Sequence, residues 1–147
     1  IFASAIDIFR TFTPITRYRI FSAEDLAVAA SIKQLTPTET IFATAFVHNH
    51  PVPALTGRST VVGFGGWLWS HGIKYEQRAA DITMLYEGAQ TADEIIKKYN
   101  ISYVAMGPLE RQNFVVNEQY LQKYPKISIA QDWYLYDVSN IRSDSNR

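Results

Sequence analysis

The chain has 147 residues, a length that one domain can fill around its own core without disulfides or metals. Fourteen Lys and Arg balance fourteen Asp and Glu, so the basic footprint that a phosphate backbone requires is missing and nucleic acid is not expected as a partner. Cysteine is absent, which removes disulfides, thiolate metal ligands and cysteine nucleophiles together.

Nine Tyr, eight Phe and three Trp fit a globular core with a concave aromatic surface rather than a disordered segment. No apolar run reaches the ~18–20 residues of a membrane span. The longest, Ile41 to Val47 and Val61 to Trp69, are strand-sized or broken by glycine. The sequence starts at Ile1, and IFASAIDIF carries one charge and no signal-peptide cleavage pattern, so it reads as a water-soluble piece of a longer protein.

In chain order, the residues to about Phe12 read as a short strand, a docking arm or the tail of a preceding element. Ser22 with Asp25 three residues on marks a helix start, and the Ala- and Leu-rich run from Ala23 to about Gln34 predicts a helix with Pro37 beyond its end. Ile41 to Val47 reads as a strand covered on both faces. Tyr75, Ala79, Ile82 and Tyr86 recur at helical spacing up to Gly88. Thr91 and Glu94 suggest a second capping box, before a helix with Ala92, Ile95, Ile96 and Tyr99 on one face and Asn100 at its end. Ile101 to Met106 follows as a buried strand ended by Gly107-Pro108. Leu109 to Tyr124 reads as helical pieces with Tyr120 and Leu121 inward. Ile127 to Ala130 and Trp133 to Val138 form a hairpin turning at Gln131-Asp132. These elements predict one α/β domain over residues 1–138, three-layered, with a small, largely parallel sheet and a C-terminal edge hairpin, and an unstructured tail over 139–147.

Function is expected between His48 and Gly72. This stretch holds all three histidines (His48, His50, His71), Trp67, Trp69 and five of the seven glycines. GFGG at Gly63 to Gly66 follows a strand-like segment but is no nucleotide loop. Leu68 stands where a dinucleotide fingerprint needs its third glycine, and the Lys-Ser/Thr pair of a P-loop is missing, so a tight turn that lets Trp67 pack is the simpler reading. On an extended segment His48 and His50 project to one side and could, with His71, hold a zinc ion; alternatively HNHP is a loop whose side chains cap backbone groups. No metal site is assigned, because no HExxH or second carboxylate-histidine pair supports one.

Trp67, Trp69 and His71 alternate, as rings would that stack on a sugar or a peptide side chain, with one tryptophan expected in the core. Arg58 after Gly57 could hold a carboxylate or phosphate bidentately. Arg78 with Asp81 reads as a surface pair, and Glu76 with Asp81 as a chance pairing of acids. There is no GxSxG, and nothing links Ser59 or Ser70 to a base, so no catalytic residue is assigned.

LTGR at Leu55 to Arg58, GFGGWLWSHGI at Gly63 to Ile73, the helix carrying Arg78 and Asp81, and YVAMGPLER at Tyr103 to Arg111 together resemble the soluble C-terminal domain of large bacterial and archaeal multi-spanning membrane proteins related to polyprenyl-phosphate-sugar-dependent glycosyltransferases. More distantly, Trp69 and Gly72 are similar to the second Trp and the Gly of the Trp-Trp-Asp-Tyr-Gly motif of the oligosaccharyltransferase catalytic subunit. Leu68, Ser70 and His71 depart from that motif, and without the aspartate at Ser70 only the aromatic, acceptor-facing surface carries over. The resemblance implies a domain on the extracytoplasmic face of the cell membrane. Its partner would be the membrane-spanning part of the same polypeptide, and it would contact an acceptor, a glycan or a lipid-linked sugar, or cover the membrane active site. It would need no cofactor and do no catalysis of its own. The residues expected at its ligand surface are Arg58, Trp67, Trp69, His71, His48 and His50. A free-standing carbohydrate or small-molecule binding module and a metal-dependent hydrolase built on the three histidines are the alternatives.

Overall fold

Successive strand residues point to opposite faces of a sheet, and here both faces are buried. Tyr103, Ala105, Leu135 and Phe42 lie on one side, and Val104, Met106, Tyr136 and Ala43 on the other. A strand can be apolar on both faces only if something covers each, and helices do so. The computed structural model describes residues 19–143, so the opening segment to Phe12 and residues 144–147 lie outside the described residues.

Helix α1 (Ala23–Leu35) places Val28 and Ile32 on the first face, beside Val52 of α2 (Pro51–Thr56). The second face is covered by Ile82, Leu85 and Tyr86 of α4 (Glu76–Glu87) and by Ile95 and Ile96 of α5 (Ala92–Lys98). Phe114, just past α6 (Pro108–Asn113), and Leu121 of α7 (Glu118–Leu121) complete that layer. The fold is therefore α/β with three layers. A short α3 (Gly65–Ser70) has no buried residue and touches the second core only through half-buried Leu68.

The five strands β1 (Ile41–Ala43), β2 (Ser59–Thr60), β3 (Tyr103–Met106), β4 (Lys126–Ala130) and β5 (Trp133–Asp137) lie in the order β2-β1-β3-β5-β4. β2, β1 and β3 are mutually parallel, whereas β3-β5 and β5-β4 are antiparallel. The edge hairpin is present as expected. The sheet is mixed rather than largely parallel, because the hairpin adds two antiparallel ladders to a parallel part only three strands wide.

Local signals account for most boundaries. Ser22 and Asp25 form the full capping box at the start of α1. Gly88 ends α4 in the left-handed conformation, and Asn100 takes a positive φ after α5. The box expected at Thr91 does not form; Thr91 makes no side-chain cap, and the first turn is held by Ala92 N–H on Ala89 O. β1 stops at Ala43 instead of Val47, since the Ala45 N–H donates to the Glu110 carboxylate and leaves the sheet ladder. Residues 140–143, expected in the tail, form a helical turn α8 (Asn140–Ser143) that packs Ile141 on the second core.

Two carboxylates tie the helical layer together. Asp93 of α5 accepts from Tyr120, Lys123 and Tyr124, which anchors α7. Asp81 is buried and accepts from Lys98, Tyr99 and Gln77, so it bridges α4 to the end of α5 rather than pairing with Arg78 at the surface. Burial alone raises the Asp81 pKa, but the hydrogen bonds from Lys98, Tyr99 and Gln77 outweigh it and hold the carboxyl below its usual range. A carboxyl depressed by folding contributes stability above its unfolded pKa of about 3.9 and loses it as pH falls through the folded value. Asp81→Asn is expected to lower the urea midpoint at neutral pH, with the gap to the parent closing below about pH 4. A gap constant down to about pH 3 would mean that the charge of Asp81 contributes nothing.

Candidate functional site

β1 and β2 are adjacent and parallel, so the loops at their carboxyl ends leave the sheet side by side, where open α/β sheets form ligand crevices. Thr44 to Asn49 after β1, Val62 to Phe64 after β2, Pro53 and Ala54 of α2, and Trp67 of α3 enclose a cleft of about 270 Å³. Its wall is an aromatic cluster in which the rings meet edge to face. His48 lies 4.7 Å from Trp67 and 5.1 Å from Phe64, and Phe64 and Trp67 are 6.0 Å apart, centroid to centroid. The remaining lining is mostly apolar, and Thr44, His48 and Asn49 are the lining residues with polar side chains besides the Trp67 indole.

The local chain explains the wall. Gly65 opens α3 directly under Tyr75, whose hydroxyl would lie 2.8 Å from any Cβ placed there. Gly72 closes the helix at φ 67°, with its N–H on Trp69 O and the Ile73 N–H on Leu68 O, the paired bonds of a Schellman ending. A helix here overturns the extended, alternating reading of Trp67, Trp69 and His71. Two positions on a helix are about 200° apart, so Trp67 turns to the cleft while Trp69 points to solvent. Neither tryptophan is core: they are 58% and 76% exposed, and Leu68 between them packs instead. The ending was legible in Ser-His-Gly-Ile, a glycine just past a helix followed by an apolar residue.

Of the other expected site residues, His71 is exposed at the end of α3, its Nδ1 2.8 Å from Trp67 O. Arg58 is not available to a ligand. It is buried and donates to the carbonyls of Lys33, Thr36 and Thr56 and to Thr36 Oγ1, so it caps the carboxyl end of α1, where a cation complements the helix dipole. Glu76 is exposed and accepts from the Tyr75 N–H, so it and buried Asp81 do not act as a carboxylate pair.

His50 is also turned inward, with 1% of its side chain exposed. Its Nδ1 accepts from Val52 N–H, capping α2, which leaves the proton on Nε2 to be donated to Glu110 Oε1 at 2.7 Å. Glu110 is fully buried; its Oε1 also accepts from Ala45 N–H and its Oε2 from Gly107 N–H. Both ring nitrogens of His50 and both carboxylate oxygens of Glu110 are thus engaged within the protein. Glu110 also adds to the effect of burial in pushing the Tyr86 phenol well above its usual range, and Tyr86 stays neutral to donate to the carbonyls of Ala43 and Ala105. Glu110 was not singled out in the sequence, although Gly-Pro-Leu-Glu places it at the third position of a Pro-initiated helix, the usual place for a capping carboxylate.

The three histidines therefore occupy three different settings. Among the described residues no group of three His, Asp or Glu is placed to hold a metal ion. No helix among them is long and apolar enough to cross a membrane. No family model, curated protein or solved structure matches the chain.

Glu110→Gln keeps the shape but sets an amide NH2 against donors that the carboxylate accepts. A cost of about 1–3 kcal/mol in denaturant unfolding is expected, together with strong coupling to His50→Ala in a double-mutant cycle. Additive effects of the two substitutions would show that the pair does not act as a unit.

Proposed function

We propose that this chain is the extracytoplasmic domain of a multi-spanning membrane protein related to polyprenyl-phosphate-sugar-dependent glycosyltransferases, and that its cleft holds part of an acceptor or lipid-linked sugar without carrying the transfer chemistry itself. The observation that carries the reading is the aromatic cleft at the carboxyl ends of β1 and β2. Rings of Trp67, Phe64 and His48 offer apolar faces and edges to the apolar face of a sugar, while Thr44, His48 and Asn49 bring polar side chains to the lining for its hydroxyls. The volume suits one sugar ring or a short apolar segment rather than a long polymer.

The motif segments on which the resemblance rests have distinct parts in this reading. Gly63 to Ile73 builds the wall, Tyr103 to Arg111 holds the loop after β1 beneath it through Glu110, and Leu55 to Arg58 fastens the amino end of β2 to the end of α1 through Arg58. The buried His50–Glu110 pair supports the cleft and is shielded from any substrate. A free-standing binding module would use the same cleft. A hydrolase on three histidines is not taken further, because His48, His50 and His71 do not converge.

Titrating the chain with a panel of mono- and oligosaccharides and short-chain polyprenyl phosphates is expected to change Trp67 emission. Trp67→Ala should weaken binding about tenfold or more, in line with loss of a central aromatic contact. Emission that stays flat across both panels would overturn the cleft as a ligand site. Deleting the domain from its parent protein separates the two readings: lost or altered glycan transfer fits the tethered domain, and unchanged product fits the free module.

A further inference from the structure

We propose that α3 and the turn after it form a membrane-docking surface, setting Trp69 and Ile73, with the outer edge of Trp67, into the headgroup region of an anionic bilayer. No residue of α3 is buried, and Trp67, Trp69 and Ile73 are 58%, 76% and 53% exposed. Tryptophan prefers the membrane-water interface, where its ring meets acyl chains and its N–H meets headgroups. The Schellman ending fixes Ile73 next in space to Leu68, so the apolar surface continues from the helix into the turn.

The second observation is charge. Leu68 and Ile73 share a hollow of about 180 Å³ with Lys74, Tyr75 and Arg78, which puts two exposed cations at the margin of the apolar ridge. Among the described residues neither cation forms an ion pair, and the Arg78 side chain makes one hydrogen bond, a long one of 3.5 Å to Val61 O. The single carboxylate between them, Glu76, is engaged by the Tyr75 N–H. Lipid phosphates complement this pair. A second copy of the chain fits less well. A two-fold contact centred on α3 would bring like charges together, and a six-residue helix about 9 Å long is small beside the ~800 Å² per partner of a stable interface.

Trp69 and Ile73, which carry this surface, do not line the cleft, although Trp67 borders both. The test is flotation of the chain with phosphatidylglycerol-containing vesicles and with pure phosphatidylcholine vesicles, read together with Trp emission. Trp133 is 3% exposed, so a blue shift reports Trp67 and Trp69. Flotation with the anionic vesicles, falling as salt rises, is expected. The double substitution Trp69→Ala with Ile73→Ser should weaken partitioning about tenfold or more. Lys74→Glu with Arg78→Glu should do the same on anionic vesicles only. All four side chains are exposed, and circular dichroism checks that each variant folds.

No flotation at low salt, or flotation that Trp69→Ala with Ile73→Ser leaves unchanged, would overturn the proposal. So would a concentration-dependent dimer lost in that variant, which would assign the ridge to a second copy. An emission shift with inorganic phosphate alone would assign the cationic hollow to a free anion and likewise overturn it. The saccharide titration, run on the same variants, reports the cleft separately, so either idea can fail without the other.

Discussion

The carboxylate of Glu110 is the constraint on which the carboxyl end of the sheet depends. It gathers the backbone N–H of Ala45, the backbone N–H of Gly107 and the Nε2–H of His50, which come from the loop after β1, the loop after β3 and the start of α2. A buried carboxylate is costly unless its acceptor positions are filled. The arrangement that fills them draws the chain off the sheet after Ala43 and turns it down into α2. That departure opens the space that becomes the cleft.

The same site is braced by shape. Gly107 is packed under the Trp133 indole so closely that a Cβ would lie 2.5 Å from the ring, and the edge of that indole meets His50. On the opposite side Tyr86 reaches through the second core to the carbonyls of Ala43 and Ala105 while stacking on Phe114 at 4.4 Å. Helices on both faces of the sheet are thereby fastened to the ends of β1 and β3. The part of the cleft wall that α3 supplies is held by the helix's own capping bonds, by Tyr75 and by Leu68, the one α3 side chain packed on the core. A wall built this way can present aromatic rings to a ligand and to a surface without disturbing the body of the domain.

Arg58 and His50 show why polar residues in a glycine-rich stretch are hard to assign from sequence. Both have the chemistry of a binding residue, and both are spent inside the protein, on Thr36 and Lys33 in one case and on Glu110 in the other. Nothing in the neighbouring sequence reveals a partner sixty positions away. His48, two residues before His50, faces the cleft because the chain turns between them instead of running extended.

The sequence by itself determined the helices α1, α4 and α5, the buried strand β3, the closing hairpin and the three-layer α/β plan. Those features rest on periodicity and on hydrogen bonds between near neighbours, as in the Ser22–Asp25 cap and the left-handed Gly88. The stretch from His48 to Gly72 supplies His48, Phe64 and Trp67 of the cleft, while Thr44 to Val47 before it line the cleft as well. Even α2 and α3 carried readable marks, since Pro51 follows the His50 cap and Gly57 and Gly72 take left-handed endings, though runs of six residues are too short for periodicity to announce them. The tertiary structure alone decided where β1 stops, how the antiparallel hairpin joins the parallel strands, and which of the histidines, tryptophans and Arg58 turn inward. The reason is physical: a strand ends, and a polar side chain buries, only where a distant partner offers the hydrogen bonds that water would otherwise supply.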